Sequence, residues 1–254
     1  MEHIEWGWLL LIVAGGFVAA FVDSVVGGGG LVALPLLLAT GLPAATALGT
    51  NKLAGTCSSL TSTLSFIASG KVNLRLVLRL FPLTLLGAVG GTFAVRHMPS
   101  DFLRPLVVVM LVLVAAYTLV KKSWGRQSTY SGLSSGSAVL MGAAAFGLGF
   151  YDGFFGPGTG SFLIFVFLAL GFDFVTAAGN AKVLNFASNL ASLATFVSFG
   201  LVHYRYGLPM GAAMIAGSLA GSRLAIRKGS SYVRPLFLAI CGLLIGKQLW
   251  DLLL

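Results

Sequence analysis

The chain has 254 residues, 57% of them hydrophobic and only 9% charged, with a mean hydropathy of +0.96. A soluble domain carries about a quarter charged residues and cannot hide this much apolar surface at this size, so a water-soluble fold is excluded. Sixteen Lys and Arg against seven Asp and Glu give a formal charge of +9, but the cations sit singly or in short groups between apolar runs. That distribution argues against nucleic acid as a partner and fits loops facing an anionic leaflet.

A helix needs roughly 20 mainly apolar residues to cross a bilayer. Eight segments meet or approach that length, at about 7–26, 43–69, 74–95, 101–120, 132–155, 173–199, 207–227 and 232–253. The start, Met1 to Trp8, carries Glu2 and Glu5 and no Lys or Arg, unlike a secretory signal, so the first apolar run is expected to remain as a span. Trp6, Trp8, Trp124, Tyr232 and Trp250 fall near segment ends, where an interfacial aromatic belt would place them. Two further apolar stretches, Leu31–Thr40 and Phe162–Leu170, are too short to cross as ordinary helices, and each follows a glycine-rich break, Val22–Gly30 and Tyr151–Gly160.

The breaks belong to an internal repeat. At an offset of 129, Phe21, Asp23, Gly27 and Gly29 meet Phe150, Asp152, Gly156 and Gly158. At an offset of 130, Gly49, Lys52, Ser58, Ser62, Phe66, Gly87 and Gly91 meet Gly179, Lys182, Ser188, Ser192, Phe196, Gly217 and Gly221, and Arg104-Pro105 meets Arg234-Pro235. Charged residues that match inside apolar runs are hard to obtain by chance. The expectation is an all-α polytopic membrane protein of two homologous halves, 1–126 and 127–254. Each half has four long transmembrane helices plus one short broken helix after its glycine break. If the short helices do not cross, there are eight crossings, the halves are parallel, and fourteen loop cations divide eight against six. If they cross, there are ten, the halves are inverted, and the cations divide ten against four, which the positive-inside bias favours.

Four glycines in a row break a helix, and broken backbone survives at membrane depth only where protein or a water-filled cavity satisfies it. Paired interruptions in two halves are the best sequence pointer to a transporter's binding site. The candidate substrate-binding residues are therefore Asp23, Gly28, Gly29 and Gly30 with Asp152, Gly158, Thr159, Gly160 and Ser161. Helices starting after such breaks point bare N–H groups and partial positive charge at the cavity, which suits an anion. Thr50, Asn51 and Lys52, with Asn180, Lys182 and Asn185, complete the set. Lys52 and Lys182 either snorkel to the interface or bring two ammonium groups to the anion. Asp23 and Asp152 either pair with those lysines, cap the broken helices or carry a coupled proton. Ser58, Ser59, Ser62, Ser188, Asn189 and Ser192 extend a polar face suited to interhelical bonding or to substrate. Gly87–Gly91 and Gly217–Gly221 read as close helix packing.

No metal or cofactor is expected. Cys57 and Cys241 lack metal-type spacing, and His3, His97 and His203 lie outside the expected spans, so an intramembrane enzyme is not supported. Asp23-Ser24-Val25-Val26-Gly27-Gly28-Gly29-Gly30 followed by Gly49-Thr50-Asn51-Lys52 resembles the TauE/SafE sulfite exporter family, also called TSUP. The second copy, around Asp152–Gly160 and Gly179–Lys182, matches that family's duplicated layout. The resemblance covers essentially the whole chain. It implies a multi-pass inner-membrane transporter of sulfite, sulfonates or related sulfur-containing anions, usually in the direction of export. Alternating access between the repeats, with a possible coupling proton or ion, is the expected mechanism. An anion channel using the same cavity, or a carrier of a non-sulfur anion, is the alternative.

Overall fold

The computed structural model describes residues 6–95, 125, 127–233 and 235–239. Among these residues every element is helical. They are α1 (Trp6–Val26), α2 (Gly30–Ala39), α3 (Ala44–Ala68), α4 (Leu74–Ala94), α5 (Ser135–Phe154), α6 (Thr159–Ala169), α7 (Phe174–Ser198) and α8 (Tyr204–Lys228). Helical turns continue at 230–233 and 235–239. The expected span at 101–120, most of that at 232–253, and Trp124, Trp250, Cys241, His3 and His97 lie outside the described residues.

The helix ends follow local chemistry. Asn73 caps α4 by accepting from the Leu76 N–H, Ser134 caps α5 through Ser137, and Asp173 caps α7 through Val175 and Thr176. α1, α4 and α5 are long and apolar enough to cross a membrane. α3, α7 and α8 reach 25 residues each but carry far more polar side chains. Those polar groups are inside: Thr50, Ser58, Ser62, Asn180, Ser188, Ser192 and Ser218 are buried, while Leu10, Leu78, Val139, Leu140 and Leu208 stand exposed. Polar interior with apolar rim is the arrangement a bilayer requires.

The packing crosses between the halves of the chain: α1 and α3 lie on α8, α4 lies on α5 and α7, and α3 meets α7. Residue contacts give the directions. α3 and α8 run parallel, with Thr50 and Leu53 beside Gly207, and Ser218 Oγ donating to the Ser58 carbonyl. Gly16 beside Met210, and Gly221 beside the Phe21 carbonyl, make α1 parallel to α8. Asn73 on Asn180, Phe81 on Phe186 and Phe93 on Phe199 make α4 parallel to α7, and Gly87 and Gly91 against Phe146 and Phe150 make α4 parallel to α5. α3 and α7 are antiparallel, because Gly49 meets Phe196 while Gly179 meets Phe66. α2 turns back along α1, with Leu36 over Gly15 and Gly29 over Asp23. Hence α1, α3 and α8 point one way and α4, α5 and α7 the other.

Candidate functional site

The two glycine breaks pack on one another at the centre of this arrangement. Gly27 holds a left-handed backbone (φ 77°), and a Cβ there would come within 2.2 Å of the Ser161 amide nitrogen and 2.3 Å of the Gly160 carbonyl carbon. No side chain fits at this crossing. Ser161 Oγ donates to the Val26 carbonyl at 3.0 Å, tying the start of α6 to the end of α1.

Around the crossing lies a cavity of about 40 Å³, lined by Asp23, Gly28–Gly30, Asn51, Lys52, Gly55, Asp152, Gly156, Gly158, Gly160, Asn185, Asn189 and Met214. At about 10–15 Å³ per water this is room for about three waters, the scale of a small oxyanion head group. Lys52 Nζ lies 3.0 Å from Asp152 Oδ1, and Lys182 Nζ lies 2.7 Å from Asp23 Oδ2. Each pair joins a lysine of one half to an aspartate of the other. Each aspartate's second oxygen is also held. Asp152 Oδ2 accepts a short bond from Ser188 Oγ, and Asp23 Oδ1 accepts the Gly29 N–H at 3.0 Å. Both lysines are almost fully buried, so snorkelling is ruled out for them.

Several donors on the lining residues have no protein acceptor among the described residues, the backbone N–H groups of Gly28 and Gly158 included. The side-chain amides of Asn51 and Asn185 make no protein hydrogen bond, and the backbone N–H groups of Gly30 and Gly160 at the starts of α2 and α6 are likewise unspent. Asn189 lines the wall with its Nδ2 donating to the Asn185 carbonyl at 2.8 Å. Of the described lining, the ionisable groups are Asp23, Lys52 and Asp152. Among the described residues no group of three or more His, Cys, Asp or Glu is placed to hold a metal.

Asp23, Gly28, Gly29, Gly30, Asn51, Lys52, Asp152, Gly158, Gly160 and Asn185 are thus brought to one cavity. The other sequence candidates are placed elsewhere. Lys182 stands behind Asp23 rather than on the wall. Thr159 Oγ1 donates to the Gly156 carbonyl, and Ser161 is committed to Val26. Thr50 Oγ1 accepts the His203 N–H at 2.9 Å, and Asn180 Oδ1 accepts the Asn73 N–H at 2.8 Å, so both hold the loops that start α8 and α4. Gly55, Gly156, Asn189 and Met214 are additional lining residues. Gly156 and Asn189 had a signal in the sequence, as part of a break and of a polar face, whereas Gly55 and Met214 had none.

The family model for the sulfite exporter TauE/SafE matches residues 12–247. A Sinorhizobium sp protein named "Probable membrane transporter protein ORF9" is 36% identical over 94% of this chain and 92% of its own length. A "Probable membrane transporter protein" of Haemophilus influenzae is 36% identical over 96% and 95%. YfcA of Escherichia coli K12, named likewise, is 35% identical over 92% and 86%. No solved structure matches the chain. With the family model spanning nearly all of the sequence and relatives named as transporters at this identity, the chain belongs to the TauE/SafE family of membrane transporters.

Proposed function

We propose that this protein is a secondary transporter that carries a small sulfur-containing anion, such as sulfite or a sulfonate, across the bacterial inner membrane. The observation that carries the reading is the small cavity where two broken helices meet. There Asn51 and Asn185, with unspent side-chain amides, and Gly30 and Gly160, with unspent backbone N–H groups, line the same wall as one buried ammonium, Lys52. Converging donors at paired helix starts stabilise an oxyanion, and oppositely running repeats place such sites at their junction.

Two inverted repeats, 1–126 and 127–254, are the architecture proposed with it. Their support is that the long helices and their partners at the sequence offset, α1 and α5, α3 and α7, α4 and α8, run in opposite directions, and that contacts recur with the halves exchanged. Gly87 sits on the Phe146 carbonyl as Gly217 sits on that of Phe17, and Thr50 holds His203 as Asn180 holds Asn73. Alternating access would then move the crossed bundles, α1, α3 and α8 against α4, α5 and α7, rather than the two sequence halves. The sliding seam is α3 on α7, which carries the cavity.

The test is thermal stabilisation of the purified protein by sulfite, thiosulfate, sulfate, sulfoacetate, taurine and chloride, with Asn51→Ala beside wild type. A ligand that binds only the folded state raises Tm as its concentration exceeds Kd. A selective rise from one sulfur anion, reduced in the variant at the same concentration, is the expected result. A rise from chloride alone, or none from any sulfur anion, rejects the sulfur-anion assignment.

A further inference from the structure

We propose that Asp23 takes up a proton when the anion binds and that the two cross together, making the protein a proton–anion symporter. The proposal rests on the anion-carrier reading above. Its starting point is charge. The centre holds two ammonium and two carboxylate groups, and each ammonium is already neutralised by a carboxylate at 3.0 or 2.7 Å. An anion entering therefore adds an uncompensated negative charge among largely buried groups. Donor N–H groups lower that cost but do not cancel the charge. Protonating one carboxylate does, and it releases a lysine's positive field toward the anion.

The two carboxylates are unequal candidates. Asp152 is 4% exposed at its side chain, and both its oxygens are held by side-chain donors, Lys52 and Ser188. Asp23 is 15% exposed and lies on the cavity wall. One of its oxygens is held by Lys182 and the other by a single backbone N–H, that of Gly29 in the glycine break. The ionisable groups facing Asp23 are Lys182 from α7 and, across the cavity, Lys52 from α3 and Asp152 from α5. The parts of α2, α6 and α8 that line the cavity bring only Gly30, Gly160 and Met214. A proton arriving from water thus sits on an Asp23 carboxyl oxygen and displaces one of its two donors. If the Gly29 N–H is the one displaced, the break loosens and that N–H turns to the anion. Proton, anion and backbone movement become one event. On the opposite side the proton leaves to water, Asp23 recovers both donors, and the anion is expelled.

The experiment uses the full chain in proteoliposomes, with the membrane voltage clamped at zero by potassium and valinomycin. Labelled thiosulfate is the probe because it takes up no proton near neutrality, and sulfoacetate is the second. Each is first tested for exchange against its unlabelled form, and then for accumulation driven by an acid exterior. One proton per anion predicts accumulation of about tenfold per pH unit in wild type. Asp23→Asn is expected to lose accumulation entirely, whatever its exchange rate, and Asp23→Glu to restore the pH response. Exchange without any response to the pH gradient overturns the proposal and leaves the anion-carrier reading standing. So does accumulation driven by a sodium gradient instead, or accumulation that survives in Asp23→Asn. Absence of exchange for both anions rejects the sulfur-anion reading and this proposal with it. The wild-type arm decides the coupling even if Asp23→Asn fails to fold.

Discussion

The Lys52–Asp152 and Lys182–Asp23 corners use the same residue types at equivalent positions, yet they are built differently. At the first, both partners line the cavity and the aspartate is sealed by Ser188. At the second, only the aspartate reaches the cavity, the lysine is hidden behind it, and the remaining oxygen leans on the backbone of a break. The position equivalent to Ser188 is Ser58, whose buried hydroxyl has no partner among the described residues and does not bond Asp23. The two corners thus share a motif and differ in where one serine hydroxyl points, toward the carboxylate at Asp152 and away from it at Asp23.

Four sets of variants break or sharpen this contrast. The largest effect is expected for Lys52→Ala, which leaves Asp152 buried without its ion partner at a cost of about 3–5 kcal/mol. Lys182→Ala should cost less, about 1.5–3 kcal/mol, because Asp23 is more exposed and keeps the Gly29 N–H. Melting in detergent orders the two, and an equal loss would show the corners to be energetically alike. The paired change Lys52→Met with Asp152→Leu should recover most of the stability but not anion binding.

Next come the glycines of the breaks. Gly27→Ala combines left-handed strain of about 1–2 kcal/mol with backbone overlap of about 1–3 kcal/mol. Gly156→Ala, at φ 94° but with nearest neighbours at 3.1 Å, meets the strain and little overlap. Folded yield and Tm of the two variants read the difference directly. The reverse order would refute the close crossing at Gly27.

Smaller effects fall on affinity alone. Asn51→Ala and Asn185→Ala remove amides that no protein group needs, so Tm should hold while anion affinity falls about two- to tenfold, the ~0.5–1.5 kcal/mol of one hydrogen bond. Titration by Tm shift or calorimetry checks this, and unchanged affinity in both would take the amides out of the site. The smallest change is expected for Thr50→Val, which removes the acceptor for the His203 N–H at about 1 kcal/mol of stability and leaves affinity untouched. A loss of affinity there would return Thr50 to the cavity.

Much of this was legible in the chain. The breaks, the short helices and the limits of the long ones were readable because glycine runs, apolar length and polar caps act locally. Asp173, for example, is the first residue of its expected segment and caps α7, which starts one residue later. Asp23, Asp152 and Lys52 were readable as site residues because charge inside an apolar run is costly without a partner. The division of labour was not. Asn180 and Lys182 are two residues apart on α7, but one holds a loop and the other an aspartate from α1. Thr159 and Ser161 begin α6 like anion ligands and spend their hydroxyls on neighbouring carbonyls.

What the sequence by itself determined is the solvent and the presence of four charges in or beside apolar runs, since hydropathy and charge placement are properties of the chain alone. What only the tertiary structure decided is how those charges pair. Lys52 meets Asp152 and Lys182 meets Asp23 because the halves interlock, with α1 on α8 and α4 on α5. Desolvation then makes pairing obligatory while packing chooses the partner. The neutral centre that results, and the unspent amides of Asn51 and Asn185 beside it, follow from which side chains face one gap between helices, and no local pattern encodes that.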